Sequence, residues 1–364
     1  MKKAKPYMLL TPGPTEVPDF LLKEMTKPLI YHREASFEKL YQNVVTELKK
    51  LFVTKNQVFV FSSSGTGAME AAVTNFVNRT ERVLVVSCGK FGERWRELLF
   101  RYGVQVRTLS APYGQAVKPE ELERQLKSDD ALHVVYTTLT ETSTGVLQDI
   151  KAFGEICHKL NRRLIVDCIA GLGADPFYMD DWYVDVAVGA TQKALGVPPG
   201  LSFIAVSDLA WERVQNVRTP RYYFDLRIAK NFAMKNQTPW TPAISLYYPL
   251  LLALQKINKK GIEHFWKHHQ TIAEFVRKSV KELGLEIFSE TPSNALTVIK
   301  MPENLPSHKL INYIKVHYRI LFANGQQELK DKILRIGHMG YLTKKDIAKA
   351  LQSLKIGYHK LTSE

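Results

Sequence analysis

Between about residues 56 and 206 the chain alternates short, β-branched apolar runs with longer amphipathic stretches. Val58–Phe61, Arg82–Ser87, Val104–Leu109, His133–Thr138, Arg163–Asp167, Asp185–Gly189 and Leu201–Val206 predict strands. Gly67–Val77, Gly92–Tyr102, Pro119–Leu126 and Ile150–Leu160 predict the helices between them. The strand runs are nearly continuous in apolar residues, as expected where neither face is wet. The pattern therefore predicts an α/β fold with a parallel or mostly parallel sheet, covered by helices on both faces. After Pro242 the pattern changes. Ile244–Ile257 and Ile262–Leu283 predict two long helices, Thr297–Ile299 and Ile320–Phe322 short strands, and Lys344–Leu354 a last helix. This predicts a smaller C-terminal α+β domain. Thr11-Pro-Gly-Pro-Thr15 cannot be helix interior, because two prolines bracket Gly13, and it reads as an extended arm. The expected division is an arm (1–17), a large α/β domain (18–258) and a small domain (259–364).

Composition narrows the class. With 45% hydrophobic and 24% charged residues over 364 positions, the chain matches ordinary globular proteins. Its longest apolar stretch, Ile244–Leu254, is too short for a bilayer and contains Pro249, so no membrane partner is expected. Met1-Lys-Lys-Ala-Lys5 begins like a signal-peptide charge cluster, but a proline-rich segment follows instead of an apolar one. Three cysteines without a CxxC pair suit a reducing cytoplasm better than a disulfide framework or a metal site. The net charge of +14 raises nucleic acid as a partner. Against it, the basic residues are spread along the chain, and neither an RNP1-like aromatic string nor a finger spacing is present. A lysine-rich solvated surface is the expected reading, with no nucleic-acid partner.

Ligands of open α/β sheets collect at the carboxyl ends of the strands, and four segments there, or in the second domain, carry candidate chemistry. Ser62-Ser-Ser-Gly-Thr-Gly-Ala-Met-Glu70 is a small-residue turn into a helix, which can cradle a phosphate or simply turn. It is neither a dinucleotide fingerprint nor a Walker loop. Asp167 ends a buried strand and needs a cation or N–H donors, unless it only anchors the next turn. Lys193 sits among small and apolar residues, where desolvation lowers an amine's pKa and favours Schiff-base chemistry over a surface role. Arg335 lies inside a strand-like run and is either a carboxylate clamp or an edge residue.

Phosphate cup, strand-end aspartate, desolvated lysine and carboxylate clamp together make the parts list of pyridoxal-phosphate catalysis. With Leu10-Thr-Pro-Gly-Pro-Thr15, Glu141-Thr-Ser-Thr-Gly-Val-Leu-Gln148, Thr191-Gln-Lys-Ala-Leu195 and Leu334-Arg-Ile-Gly337, the chain resembles the class V (fold-type I) aminotransferases. The resemblance is to the alanine–glyoxylate / serine–pyruvate group and runs almost end to end. It implies the pyridoxal-phosphate-transferase fold type I and a pyridoxal 5′-phosphate cofactor held by Lys193 as an internal aldimine. It further implies that Gln192 bonds the phosphate, Asp167 pairs with the pyridinium nitrogen, and Ser64, Gly65 and Thr66 form the cup. Thr142 would bond the ring's phenolic oxygen, with Ile169 on one ring face and Phe91 on the other. Phe91 stands where tryptophan is common, and Thr66 where some relatives have histidine. Arg335 would clamp the substrate carboxylate and the Gly13 arm would wall the site. A homodimer is implied, Thr241 (or Thr238) reaching the neighbouring subunit's phosphate.

The expected reaction moves an amino group from alanine or serine to glyoxylate or pyruvate. Aspartate or 2-aminoethylphosphonate as donor is the alternative, and aspartate would need a second cation, for which Arg33 is the sequence candidate. A cysteine desulfurase or selenocysteine lyase would need a cysteine on a mobile later loop, and the last one here is Cys168. A basic binding module is the reading outside enzymology.

Overall fold

The computed structural model describes residues 7–363, so the Met1–Lys5 charge cluster lies outside it. Seven strands form the main sheet: β1 (Gln57–Phe61), β2 (Arg82–Ser87), β3 (Gln105–Ser110), β4 (Leu132–Thr138), β5 (Arg163–Asp167), β6 (Val186–Ala190) and β7 (Ser202–Val206). Their order is β1-β7-β6-β5-β4-β2-β3. β2 runs parallel to β3 and β4, β4 to β5, and β5 to β6. Only β7 runs against its neighbours, β1 and β6. β5 to β7 are buried along almost their whole length, which is why their sequences show no alternation.

Helices cover both faces. On one side α1 (Ala35–Phe52) buries Phe37, Leu40, Tyr41, Val44, Leu48, Leu51 and Phe52. It packs into one core with α2 (Ile244–Lys259). On the other side α3 (Gly65–Thr74) and α4 (Lys90–Arg101) build a second core around Met69, Val73, Trp95 and Leu99. Trp95 is fully buried and donates its indole N–H to the Thr137 carbonyl at 3.0 Å, so its polar edge is satisfied. Truncating such a side chain to alanine typically costs about 3–5 kcal/mol.

The C-terminal part carries a four-stranded antiparallel sheet of β8 (Glu286–Ile287), β9 (Leu296–Lys300), β10 (Ala323–Asn324) and β11 (Ile333–Gly337), in the order β8-β9-β11-β10. Helices α5 (Ile262–Glu282), α6 (Ser307–Tyr318) and α7 (Lys344–Thr362) close its core with Val276, Leu310 and Leu354. α7 opens with a capping box of Thr343 and Asp346 and runs eight residues past the expected Leu354. Among the described residues no helix is long and apolar enough to cross a membrane.

The Leu10–Thr15 arm is not helical, as expected, but it bends through Thr11–Pro14, where the Thr11 hydroxyl donates to the Pro14 carbonyl at 3.0 Å, and does not run extended; it bridges the two sheets. Leu10 N–H donates to the Leu321 carbonyl and its own carbonyl accepts from Gly337 N–H at 2.8 Å, while Thr15 N–H reaches the Gln192 carbonyl at 3.1 Å.

Candidate active site

Five strands that share one direction end around one cavity. β1 leads through Ser64 into α3, β2 leads to Phe91 on α4, β4 leads to Thr142, β5 ends on Asp167, and β6 leads to Gln192 and Lys193. Ser64, Gly65, Thr66, Phe91, Thr142, Asp167, Ile169, Gln192 and Lys193 all line this cavity of about 130 Å³, with Arg94 and Thr140. A larger cleft, of about 240 Å³, holds His158, Arg162 and Asp185 elsewhere. Its arginines are engaged with Asp130 and Asp185, and it offers no comparable set of groups.

Lys193 is anchored from both sides. The Thr191 hydroxyl donates to the Pro198 carbonyl at 2.8 Å, fixing the loop that carries Lys193. The Lys193 Nζ donates to the Pro12 carbonyl at 2.6 Å. Gly13 has φ +125°, and a Cβ there would come within 2.4 Å of that Nζ, so only glycine lets the arm lie this close. Desolvation lowers the Lys193 pKa to about 8, against the attraction of Asp167 and with Arg335 and Arg94 adding to the lowering.

Asp167 is 3% exposed. Burial pushes its pKa up to about 7, opposed first by the Ile169 N–H that donates to Oδ1 at 2.8 Å. Anchoring the next turn thus uses one oxygen and leaves this carboxylate under-paired for its burial. Gln192 Oε1 is buried and has no hydrogen-bond partner. An under-paired carboxylate and a desolvated amine lining one cavity fit a cofactor that brings a protonated ring nitrogen and a carbonyl carbon.

Arg335 is no edge residue: it is buried in β11, between β9 and β10. Its Nε donates to the Asn324 carbonyl at 2.8 Å and its Nη1 to the Thr142 carbonyl at 3.1 Å. Two carbonyls therefore hold the guanidinium while leaving Nη2 donors uncommitted. Burial lowers its pKa to about 10, with Glu141 pulling the other way.

Two groups escaped the sequence reading. Glu141, fully buried, accepts from the N–H groups of Phe91 (2.8 Å) and Gly92 (3.0 Å) and from the Ser143 N–H (3.0 Å) and hydroxyl (2.6 Å). It fixes the start of α4 against the Thr142 turn. Arg94 sits one turn after Phe91 on the same helix face, and the i,i+3 spacing was the available signal. Thr241 and Arg33 are not brought into this cavity. Thr241 is exposed, 3.5 Å from His32 Nε2. Arg33 is committed to Gln237 Oε1 and to the Thr238 and Pro239 carbonyls.

Residues 12–349 match the family described as Aminotransferase class-V. The chain is 35% identical to the "Soluble hydrogenase, small subunit" of Synechococcus sp. (strain PCC 6716), over 98% of this chain and 95% of that protein. It is 33% identical to the L-aspartate–glyoxylate aminotransferase of Paracoccus denitrificans, over 92% of this chain and 87% of that one. The crystal structure of an alanine–glyoxylate aminotransferase from Nostoc sp. superposes with a TM-score of 0.94 at 29% identity, covering 98% and 96% of the two chains.

Proposed function

Because the chain belongs to the class-V aminotransferases, a transaminase family of pyridoxal-phosphate-transferase fold type I, we propose that it takes its amino group from alanine or serine and passes it to glyoxylate or pyruvate. The observation that carries the reading is the pairing of a desolvated Lys193 amine with a buried, under-paired Asp167 in one cavity. In this proposal Ser64, Gly65, Thr66 and Gln192 hold the phosphate of pyridoxal 5′-phosphate, Thr142 its phenolic oxygen, and Ile169 and Phe91 its two faces. When bound, that group supplies a conjugated electron sink for the pair left by a breaking Cα–H bond. Asp167 keeps a proton on the ring nitrogen. The Lys193 amine, its pKa lowered by burial to about 8, removes the Cα proton and returns one. Arg335 holds the substrate carboxylate and so fixes which bond faces Lys193. The Pro12–Gly13 backbone walls the site beside the amine, which supports a short substrate side chain.

Aspartate or 2-aminoethylphosphonate is the second reading, favoured by the aspartate named in the Paracoccus relative. Arg33 is a poor candidate for the extra cation because three oxygens already hold its guanidinium.

Homodimer formation with shared sites belongs to the proposal. Tyr31, Tyr222 and Tyr223 are exposed, Tyr222 by 70%, and Tyr222 packs on Trp240 at 4.8 Å. The Tyr223 hydroxyl reaches the Ser62 carbonyl, two residues before the cup, so this aromatic surface is tied to the turn that leads into it. Thr238 spends its hydroxyl on the Trp240 carbonyl, so Thr241 is the better placed of the two to reach the partner. Three buried free thiols support a reducing, cytoplasmic setting. The helix break at Lys260–Gly261 supports dividing the chain near residue 258.

The test is a half-reaction screen, amino acid by amino acid, following the visible absorbance of the purified protein. Alanine or serine should bleach the band fastest. Full activity in Lys193→Ala would remove the amine from its assigned role, and a preference for aspartate of about a hundredfold in kcat/KM would transfer the donor assignment.

A further inference from the structure

Among the described residues Arg94 is a guanidinium without an acidic partner. It stands on α4 three residues after Phe91, and its guanidinium carbon lies 4.7 Å from the centre of the Phe91 ring. Nη1 reaches the Thr66 hydroxyl at 3.4 Å, a long contact and its one hydrogen bond. It lines the same cavity as Ser64, Gly65 and Gln192. Among the described residues no carboxylate comes within ion-pairing distance of it, although its field is felt at both Asp167 and Lys193. A half-buried cation with most of its donors unused is costly unless an anion completes it.

We propose that Arg94 is the cation of the phosphate cup and binds the cofactor's phosphate monoester together with the N-terminus of α3. The inference rests on the pyridoxal-phosphate reading above. The direction of the side chain supports it: Arg94 meets Thr66, the second residue of α3, where unpaired N–H groups and the positive end of the helix already favour an anion. The helix end alone offers roughly half a charge, too little for a phosphate dianion. None of the cup residues Ser64, Gly65 and Thr66 is charged. A planar fork adds paired, charge-assisted N–H donors, and stacking on Phe91 fixes its plane. The substrate's distal acid group is the other anion that could claim Arg94, and the experiment separates the two.

Cofactor-free wild-type protein, Arg94→Met and Arg94→Lys are titrated with pyridoxal phosphate and, separately, with phosphate-free pyridoxal, following tryptophan fluorescence. Melting curves of the cofactor-free proteins check that each variant folds. Arg94→Met should weaken pyridoxal phosphate by about tenfold to a hundredfold, the loss of a charged hydrogen-bonding partner. Its affinity for pyridoxal should stay near wild type, and Arg94→Lys should recover part of the phosphate preference. Equal weakening of both ligands would make Arg94 a support for Phe91 and overturn the proposal. So would an unchanged pyridoxal-phosphate affinity, including one accompanied by a raised KM for aspartate alone, which would give the cation to the substrate. Failure of the wild-type protein to bind either aldehyde would bring down the cofactor reading itself, and this inference with it.

Discussion

At the scale of single residues the site is a pair of costly charges held ready for a third. The folded protein raises the Asp167 pKa to about 7, well above its ordinary value. It therefore binds this proton more tightly than the unfolded chain does. Stability is lost as pH rises from the ordinary carboxylate range through 7, and the full cost stands above that. In the cofactor-free protein Asp167→Asn should accordingly be more stable than wild type at pH 8, by about 4 kcal/mol at most, with the gain shrinking towards pH 4. Urea unfolding at the two pH values measures it; a variant no more stable at pH 8 would mean the carboxylate is better paired than its surroundings indicate. The same variant should lose transamination, separating what the charge costs the fold from what it does for the reaction. Arg335 makes the opposite case, since two backbone carbonyls already orient its fork. Arg335→Lys keeps the charge and loses the fork. We expect kcat/KM to fall by about a hundredfold for alanine and serine alike. A loss confined to one donor would place the arginine at the side chain of the substrate instead of its carboxylate.

At the scale of elements, the beginning of α4 carries Phe91, the proposed stacking wall, and a buried carboxylate holds it there. Glu141→Ala would leave the N–H groups of Phe91, Gly92 and Ser143 without an acceptor. At about 1–3 kcal/mol for a buried unsatisfied group, a loss of at least 3 kcal/mol is expected on thermal or urea unfolding. Glu141→Gln keeps one acceptor oxygen and should lose less. Equal stability of wild type and Glu141→Ala would show that water replaces the carboxylate. Such tertiary dependencies mark the boundary of what the chain discloses on its own. β5 was legible to the residue because an apolar run ends on Asp167 with polar residues on either side. Lys193 was legible because a charge among small and apolar neighbours is conspicuous in any sequence. α1 was recoverable but missed: its buried positions 37, 40, 41, 44, 48, 51 and 52 keep a helical period, lying ahead of the region where strands and helices alternate. Arg94 and Glu141 were of another kind. Spacing could place Arg94 on the helix face of Phe91, but the meaning of both residues comes from Thr66 and from the N-terminus of α4, groups 28 and about 50 residues away in the chain, and no local pattern encodes those long-range pairings.

At the scale of the whole molecule, the arm and the aromatic surface decide how the site is finished. The arm is squeezed between the sheets: a Cβ on Gly337 would lie 2.1 Å from the Thr11 carbonyl oxygen, a backbone atom that cannot swing aside. Gly337→Ala should therefore lift the arm and with it the Pro12 carbonyl from Lys193, raising KM for small donors while the cofactor stays bound. An unchanged KM would deprive the arm of its place in the substrate wall. Thr241 is exposed beside His32 and does not line its own chain's cavity, which agrees with the proposal that it reaches the site of a partner subunit. If it serves the neighbour's site instead, two inactive chains should rescue each other. Thr241→Val lacks the hydroxyl but keeps Lys193; Lys193→Ala lacks the amine but keeps Thr241. In a hybrid dimer one site combines Lys193 from the first chain with the partner's Thr241 from the second, and is intact; the other lacks both. Random reassortment of equal amounts should then restore about a quarter of the wild-type activity. Were Thr241 to act within its own chain, every hybrid site would still lack one of the two groups and mixing would restore nothing. The Thr241→Val homodimer measured alone sets the baseline, because recovery counts only above its residual rate, and sedimentation of the mixture establishes that the chains have paired.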